Sequence, residues 1–168
     1  AGAAAQRAYF ARALAEVLPG FADVTYPDWE RLLTRLAADA GALPSAAIEG
    51  LERLADPHRL SAHGGSDEPP ARLHGDLWAG NRLDGADGRS WLIDPAAHGG
   101  HREFDLAMMR LFGGFDEACF AAYRAARPLA HGWEERVALH QIAPLVVHAV
   151  KFGGSYVSAA ASAIARYA

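Results

Sequence analysis

The tract Leu73-His74-Gly75-Asp76-Leu77-Trp78-Ala79-Gly80-Asn81, followed by Leu92-Ile93-Asp94-Pro95, constrains this chain more than any other part of it. Two glycines flank an aspartate and an asparagine, which demands a tight loop, because glycine alone tolerates positive φ and close backbone approach at no steric cost. The spacing up to Asp94 leaves room for one short excursion. Apolar alternation at Arg82 to Asp84 and at Ser90 to Ile93, joined across Gly85-Ala86-Asp87-Gly88, predicts that this excursion is a small β-hairpin. Another short strand is predicted just before the loop, at Ala71 to His74.

Helical patterns surround this β segment. An alanine-rich stretch from Ala3 to Val17, ended by Pro19-Gly20, reads as a short helix, and Trp29, Leu32, Leu33, Leu36 and Ala37 recur at amphipathic intervals until Gly41. A third helix is predicted to open at Pro44-Ser45 and to run through Ile48, Leu51 and Leu54 as far as Asp56-Pro57, with His58 to Pro70 as a surface loop. After Glu103 the helical period returns. Phe104, Ala107, Met108, Leu111 and Phe112 share one face, and further helices are expected near Asp116 to Ala126, Glu134 to Lys151 and Tyr156 to Tyr167. Pro144 should kink or split the third of these. The fold class that follows is mainly α with a small β-hairpin, an α+β chain in one domain over residues 1–168, with 1–22 as a helical lead-in.

Bulk properties exclude several partners. The 168 residues are enough for one core, the net charge is −4, and acidic and basic residues are interleaved, so no basic stripe is offered to nucleic acid or to an anionic membrane. No apolar run approaches the ~20 residues of a membrane span and no charged-then-apolar leader opens the chain, which points to a cytoplasmic protein. The single cysteine, Cys119, lies in an apolar helical pattern and reads as a small buried hydrophobe. Lys151 is the only lysine, and the chain starts at Ala1 without an initiator Met, which is compatible with a processed, excised or truncated product.

The chemistry lies in Asp76, Asn81 and Asp94. Asp76 and Asn81 are spaced as in the catalytic loop H-R-D-x-x-x-x-N, and Asp94 ends an apolar strand as a metal-binding aspartate does. Phosphoryl transfer relies on in-line positioning and on Mg²⁺, which prefers hard oxygen ligands such as an Asp carboxylate and an Asn amide oxygen. Asp76 is then left to take the proton of the attacking hydroxyl. A lone His-Gly-Asp would be ordinary turn chemistry. Its combination with Asn81 and Ile93-Asp94-Pro95 is what points to catalysis.

His74-Gly75-Asp76-Leu77-Trp78, Gly80-Asn81, Ile93-Asp94-Pro95-Ala96 and Gly99-Gly100-His101-Arg102-Glu103-Phe104-Asp105-Leu106-Ala107-Met108 together resemble the fructosamine and ketosamine kinases, relatives of the aminoglycoside phosphotransferases. The likeness runs on through Leu111 to Phe115, Pro128-Leu129, Gly132-Trp133, and Gln141 to Gly154. It implies a protein-kinase-like C-terminal lobe over 23–168, with the catalytic loop at 74–81. It further implies an ATP-dependent kinase, using Mg²⁺, that phosphorylates a sugar hydroxyl of a ketoamine, whether a small molecule or a glycated protein lysine, and so destabilises the adduct and reverses glycation. On this resemblance Asp76 matches the catalytic base, and Asn81 and Asp94 the metal ligands. Trp78 reads either as a sugar-facing aromatic or as core. His101 and Glu103 read as substrate contacts, or, with Arg102, as loop ion pairs at a helix start, where Glu103 suits the helix dipole. His74 and Asp105 read as supports of the catalytic loop. His140 and His148 are eight residues apart on one helix, too far for the i,i+4 zinc arrangement.

A kinase of this type also needs a glycine-rich loop over the phosphates and a strand lysine paired with a helix glutamate. No G-x-G-x-x-G tract precedes Asp76, Lys151 follows every motif, and the about one hundred residues of an ATP-clamping N-terminal lobe are absent. The leading expectation is a truncated ketoamine kinase with little activity alone. The alternatives are a non-catalytic sugar- or metal-binding remnant, a related aminoglycoside phosphotransferase-like small-molecule kinase, and a metal-dependent hydrolase using His74 with the three site residues. The surface left by the absent lobe suggests self-association.

Overall fold

A computed structural model describes residues 43–63 and 68–168 throughout, with isolated positions between Ala8 and Gly41. The helices expected over Ala3–Val17 and Trp29–Ala37 lie largely outside the described residues. Ala8, Ala11, Ala15, Arg31, Leu32 and Arg35, which are described, are helical.

Helix α1 (Ser45–Leu54) follows Pro44, whose fixed φ suits a helix start, and it buries Ala47, Leu51 and Leu54. Helix α2 (Pro57–His63) occupies half of what reads as a loop. The local chemistry explains this correction. Asp56 Oδ1 accepts the N–H groups of His58 at 2.9 Å and Arg59 at 3.2 Å, so Asp56-Pro57 caps a new helix and does not merely end the old one.

The β segment consists of two antiparallel pairs. Strands β2 (Arg82–Asp84) and β3 (Ser90–Leu92) form the expected hairpin, with Leu83 opposite Trp91. Strand β1 (Ala71–Leu73) pairs with β4 (His98–Gly100), an element the glycine-rich sequence conceals, in the register Arg72 to Gly99. Between β1 and β2 the chain makes the loop His74 to Asn81, which ends in a single 3-10 turn, Ala79–Asn81.

Helices α3 (Glu103–Phe112), α4 (Glu117–Ala126), α5 (Trp133–Phe152) and α6 (Ser155–Ala165) complete the chain. Asp116 caps α4 by accepting the N–H of Cys119 at 2.9 Å. That cap sets the phase of the helix, turning Phe120 inward and Cys119 outward, so the cysteine is exposed and not buried as its apolar neighbours suggest. Helix α5 runs unbroken through Pro144, which is itself buried. Proline there removes only the N–H that His140 O would otherwise accept, a loss that the surrounding packing outweighs.

Two apolar clusters hold the helices. The larger joins Leu43, Leu51 and Leu54 to Ile142, Leu145 and Val146 of α5 and to Ala160 and Ile164 of α6. Ala11 and Leu32 reach it as well. The smaller joins Leu106 and Met109 of α3, Phe120 of α4 and Trp133 of α5, with Leu77 of the loop after β1 against it. Helix α3 is therefore packed on more than the single face its sequence suggests, since Leu106, Ala107, Met108 and Met109 are all buried. Through Leu77, the smaller cluster fixes the loop that carries Asp76.

Candidate active site

The loop from His74 to Asn81 is held at both ends by hydrogen bonds. Gly75 has φ +81°, and a Cβ placed on it would lie 2.4 Å from the carbonyl oxygen of Ala96, so only glycine fits. At the far end, a Cβ on Gly80 would lie 2.4 Å from the Trp78 ring, which folds back over that backbone. Asp105, in the first turn of α3, accepts the backbone N–H of His74 at 2.7 Å and of Gly75 at 2.9 Å.

His74 is the second support. Its Nε2 donates to the carbonyl of Ile93 at 3.0 Å, and its Nδ1 accepts the N–H of Asp76 at 3.3 Å, which fixes one tautomer. With both ring nitrogens engaged, His74 is not a base for activating water, and the hydrolase alternative loses its histidine.

Asn81 is buried, and its amide nitrogen donates both to the backbone oxygen of Asp76 and to Asp76 Oδ2, each at 2.9 Å. The amide oxygen is therefore the end left for a cation. The carbonyl of Asn81 in turn accepts the N–H of Ile93 at 3.0 Å. Ile93 is thus tied through its N–H to one end of the loop and through its C=O to the other, and the next residue is Asp94. Asp94 has φ +51°, the one positive φ of a non-glycine among the described residues. Such a conformation costs free energy and marks a position held by its surroundings. Asp94 is exposed at the end of the hairpin, whereas Asp76 is half-buried. Asn81 and Asp94, the two residues expected to hold Mg²⁺, offer an amide oxygen and a carboxylate, which are hard oxygen donors of the kind that ion takes.

Trp78 is 38% exposed beside Asp76, with its edge against Phe112 at 6.1 Å between ring centroids. Phe112 contacts His148, and His148 contacts Phe152 and Tyr156, so an aromatic strip leads away from the loop.

The tract after β4 behaves differently from the loop. Arg102 forms a two-pronged ion pair with Glu68, at 2.6 and 2.7 Å, and donates to the carbonyls of Arg127 and Pro128. Glu103 is 2% exposed and takes Arg136 of α5 in a second two-pronged pair, at 2.6 and 2.8 Å. The ion pairs at this helix start are therefore long-range, joining α3 to other elements. His140 Nε2 lies 3.4 Å from Glu103 Oε2 and His101 Nδ1 lies 4.0 Å from it, with the two imidazoles stacked at 5.3 Å. Burial alone pushes the Glu103 carboxyl up. The hydrogen bonds from Arg136, the His140 ring alongside, and the Coulombic pull of Arg136 and His101 more than offset this and leave it at about 2. For His101, burial is the larger influence and holds the imidazole below its ordinary value.

This grouping gives His140 neighbours that its own helix does not. Judged against His148 on its own helix it has no metal partner, but across helices it meets His101 and Glu103. Arg136 and His140 carry no local signal of this, since their partner lies more than thirty positions away. One signal was available in Glu103 itself, which shares its helical face with Leu106 and Ala107, a phase that buries a charge and so requires a distant cation.

The loop and Asp94 are joined through the backbone of Ile93. Comparison with known proteins specifies the class. The fructosamine kinase family model matches residues 35–168, and the chain belongs to that family, whose members are kinases. A "Probable ketoamine kinase" of Lactiplantibacillus plantarum is 47% identical over 87 residues, 52% of this chain and 31% of that protein. The ketosamine-3-kinase of Mus musculus is 40% identical over 87 residues, 52% of this chain and 28% of that protein. The crystal structure of a "putative fructosamine-3-kinase" from Thermobifida fusca superposes with a TM-score of 0.71 and 41% identity, covering 86% of this chain and 52% of that one. A second, from Haemophilus somnus, shares the fold at a TM-score of 0.66 and 24% identity. The chain thus spans about half the length of these solved structures and about a third of the curated relatives. Among the described residues no helix is long and apolar enough to cross a membrane.

Proposed function

We propose that this chain carries the catalytic loop and metal ligands of a ketoamine kinase, which transfers the terminal phosphate of ATP to a sugar hydroxyl of a ketoamine and thereby promotes removal of the adduct. The observation that supports this reading is the chain of hydrogen bonds from Asp76 through Asn81 to the backbone of Ile93, the residue before Asp94. In this reading Asp76 accepts the hydrogen bond of the attacking hydroxyl and takes its proton as the oxygen–phosphorus bond forms. Asn81 and Asp94 would hold Mg²⁺, which when bound offsets negative charge on the phosphate oxygens. Trp78 offers its face to the C–H surface of the sugar, and its exposure beside Asp76 supports that placement. The acceptor is a free ketoamine or a glycated lysine on a protein, encountered in the cytoplasm.

The sequence has no lysine before Lys151 and no G-x-G-x-x-G tract ahead of the loop. We therefore assign the grip on the nucleotide largely to residues outside this span, and expect the 168 residues alone to turn over ATP negligibly. The test is a chimera joining this chain to the amino-terminal half of the Thermobifida fusca relative, assayed with ATP, Mg²⁺ and a fructosyl-lysine derivative. Phosphorylation that falls about 10³-fold in Asp76→Asn supports the assignment. Unchanged turnover in that variant removes Asp76 from its role. Binding of Mg²⁺ and ketoamine without turnover in the parent chimera favours the non-catalytic alternative.

A further inference from the structure

Glu103 Oε1 takes one nitrogen of Arg136 and Oε2 another, which uses two of the carboxylate's roughly four lone-pair directions. The remaining side of Oε2 faces His140 Nε2 at 3.4 Å and His101 Nδ1 at 4.0 Å. Neither contact reaches hydrogen-bond quality, and Nε2 of both histidines is buried without a hydrogen-bond partner. His101 Nδ1 accepts the backbone N–H of Glu103 at 3.4 Å, which leaves its Nε2, like that of His140, buried and unsatisfied; such groups are costly, and native folds seldom keep them unless something binds them. One ring nitrogen from each histidine and one carboxylate oxygen all lie within 4.8 Å of one another.

We propose that His101, Glu103 and His140 form a binding site for a borderline divalent cation, zinc in the first instance, separate from the Asp76, Asn81 and Asp94 site. Two imidazoles and a carboxylate with a fourth position open are a ligand set zinc uses, whereas Mg²⁺ prefers oxygen throughout. Arg136 takes the place of the outer hydrogen-bond partner that fixes a ligating carboxylate. Its positive charge also opposes the ion, so the site is weaker than the same three ligands would be alone. This role replaces direct substrate contact for His101 and Glu103.

The site joins elements far apart in sequence. His101 and Glu103 stand at the junction of β4 and α3, and His140 stands on α5. Two steps along a helix turn about 200° around its axis, so Glu103 and Asp105 leave α3 on opposite sides. An ion bound on one side would clamp α3 to α5, while on the other side Asp105 holds His74 and Gly75. The predicted effect is a stiffer anchor for the catalytic loop, without participation in phosphate chemistry.

The inference does not depend on the proposed reaction and is tested on the 168-residue chain with metals alone. Co²⁺ is titrated after chelator treatment and followed by its visible d–d absorption. One Co²⁺ per chain with the intense spectrum of four- or five-coordination, displaced by Zn²⁺ and not by Mg²⁺, supports the site. His101→Gln and His140→Gln should each weaken binding at least tenfold. Zn²⁺ at about a hundredfold excess over its Kd should raise the Tm on the order of 5 °C over chelated protein, and His101→Gln should abolish the rise. The Tm measurement on unmutated protein keeps the test decisive if His140→Gln does not fold. A spectrum of hexa-aqua Co²⁺, equal binding by the histidine variants, or a Tm indifferent to Zn²⁺ would each overturn the site.

Discussion

Asp105 accepts the backbone N–H of Gly75 at 2.9 Å, across thirty positions of sequence, and with its second oxygen accepts that of His74. One carboxylate thus satisfies two donors that have no alternative partner in a loop this tight. Asp105→Ala should cost about 2–4 kcal/mol of stability, measured by urea denaturation, because each orphaned donor costs about 1–3 kcal/mol. Asp105→Asn keeps one acceptor and should cost about half as much, with faster hydrogen exchange at His74 or Gly75. Equal stability of Asp105→Ala and the parent would show that the loop is held elsewhere.

The pair of Glu103 with Arg136 should behave as a buried ion pair. Glu103→Gln leaves the guanidinium uncompensated and should destabilise by about 3–5 kcal/mol, whereas the double change Glu103→Gln with Arg136→Met should recover much of the loss. Additive effects in that double-mutant cycle would mean that the pair does not couple.

Stability should depend on pH in two ranges when metals are chelated. Burial lowers the affinity of His101 for protons in the folded state, so the unfolded chain binds more protons below about 6.5, and stability begins to fall there as pH falls. Glu103 has its carboxyl held at about 2 against an ordinary 4.5. Its contribution, about 3 kcal/mol, is complete above 4.5 and is lost as pH falls from there toward 2. Denaturation midpoints from pH 8 to 3 should show both declines. In Glu103→Gln the lower one should shrink, and an unaltered acid limb would count against this account.

The hairpin displays Leu83, Trp91 and Leu92 at 52%, 54% and 51% exposure. Leu83 and Trp91 stand opposite each other on one face of the hairpin, an exposed apolar pair that water disfavours, and the chain should self-associate through it at high concentration. Light scattering should show a rise in mean mass that Leu83→Ser with Trp91→Ser reduces. Monomeric behaviour of the parent at high concentration would dismiss the patch as an interface.

The family was more legible in the sequence than the architecture around the loop. The tract from His74 to Met108 could be read because its residue types stand at short, fixed spacings. The same local rules located the hairpin and the helices after Glu103 to within a few residues. What escaped was set by distant partners or by ambiguous local signals. Strand β4 is two-thirds glycine and forms only because β1 lies beside it. Asp56-Pro57 is equally good as a stop and as a start. Cys119 is turned outward by a cap three residues earlier, and His140 acquires its neighbours only when α5 crosses α3.

Ile93 donates its N–H to Asn81 and accepts from His74 through its C=O, so its backbone closes a ring around the hairpin that precedes it. The strands between Arg82 and Leu92 therefore enter and leave at the same fixed gate. Residues could be added to or removed from the turn at Gly85 to Arg89 without moving Asp94 relative to Asp76. Length variation among related chains should accordingly gather at that turn, while the spacing from His74 to Asn81 stays invariant.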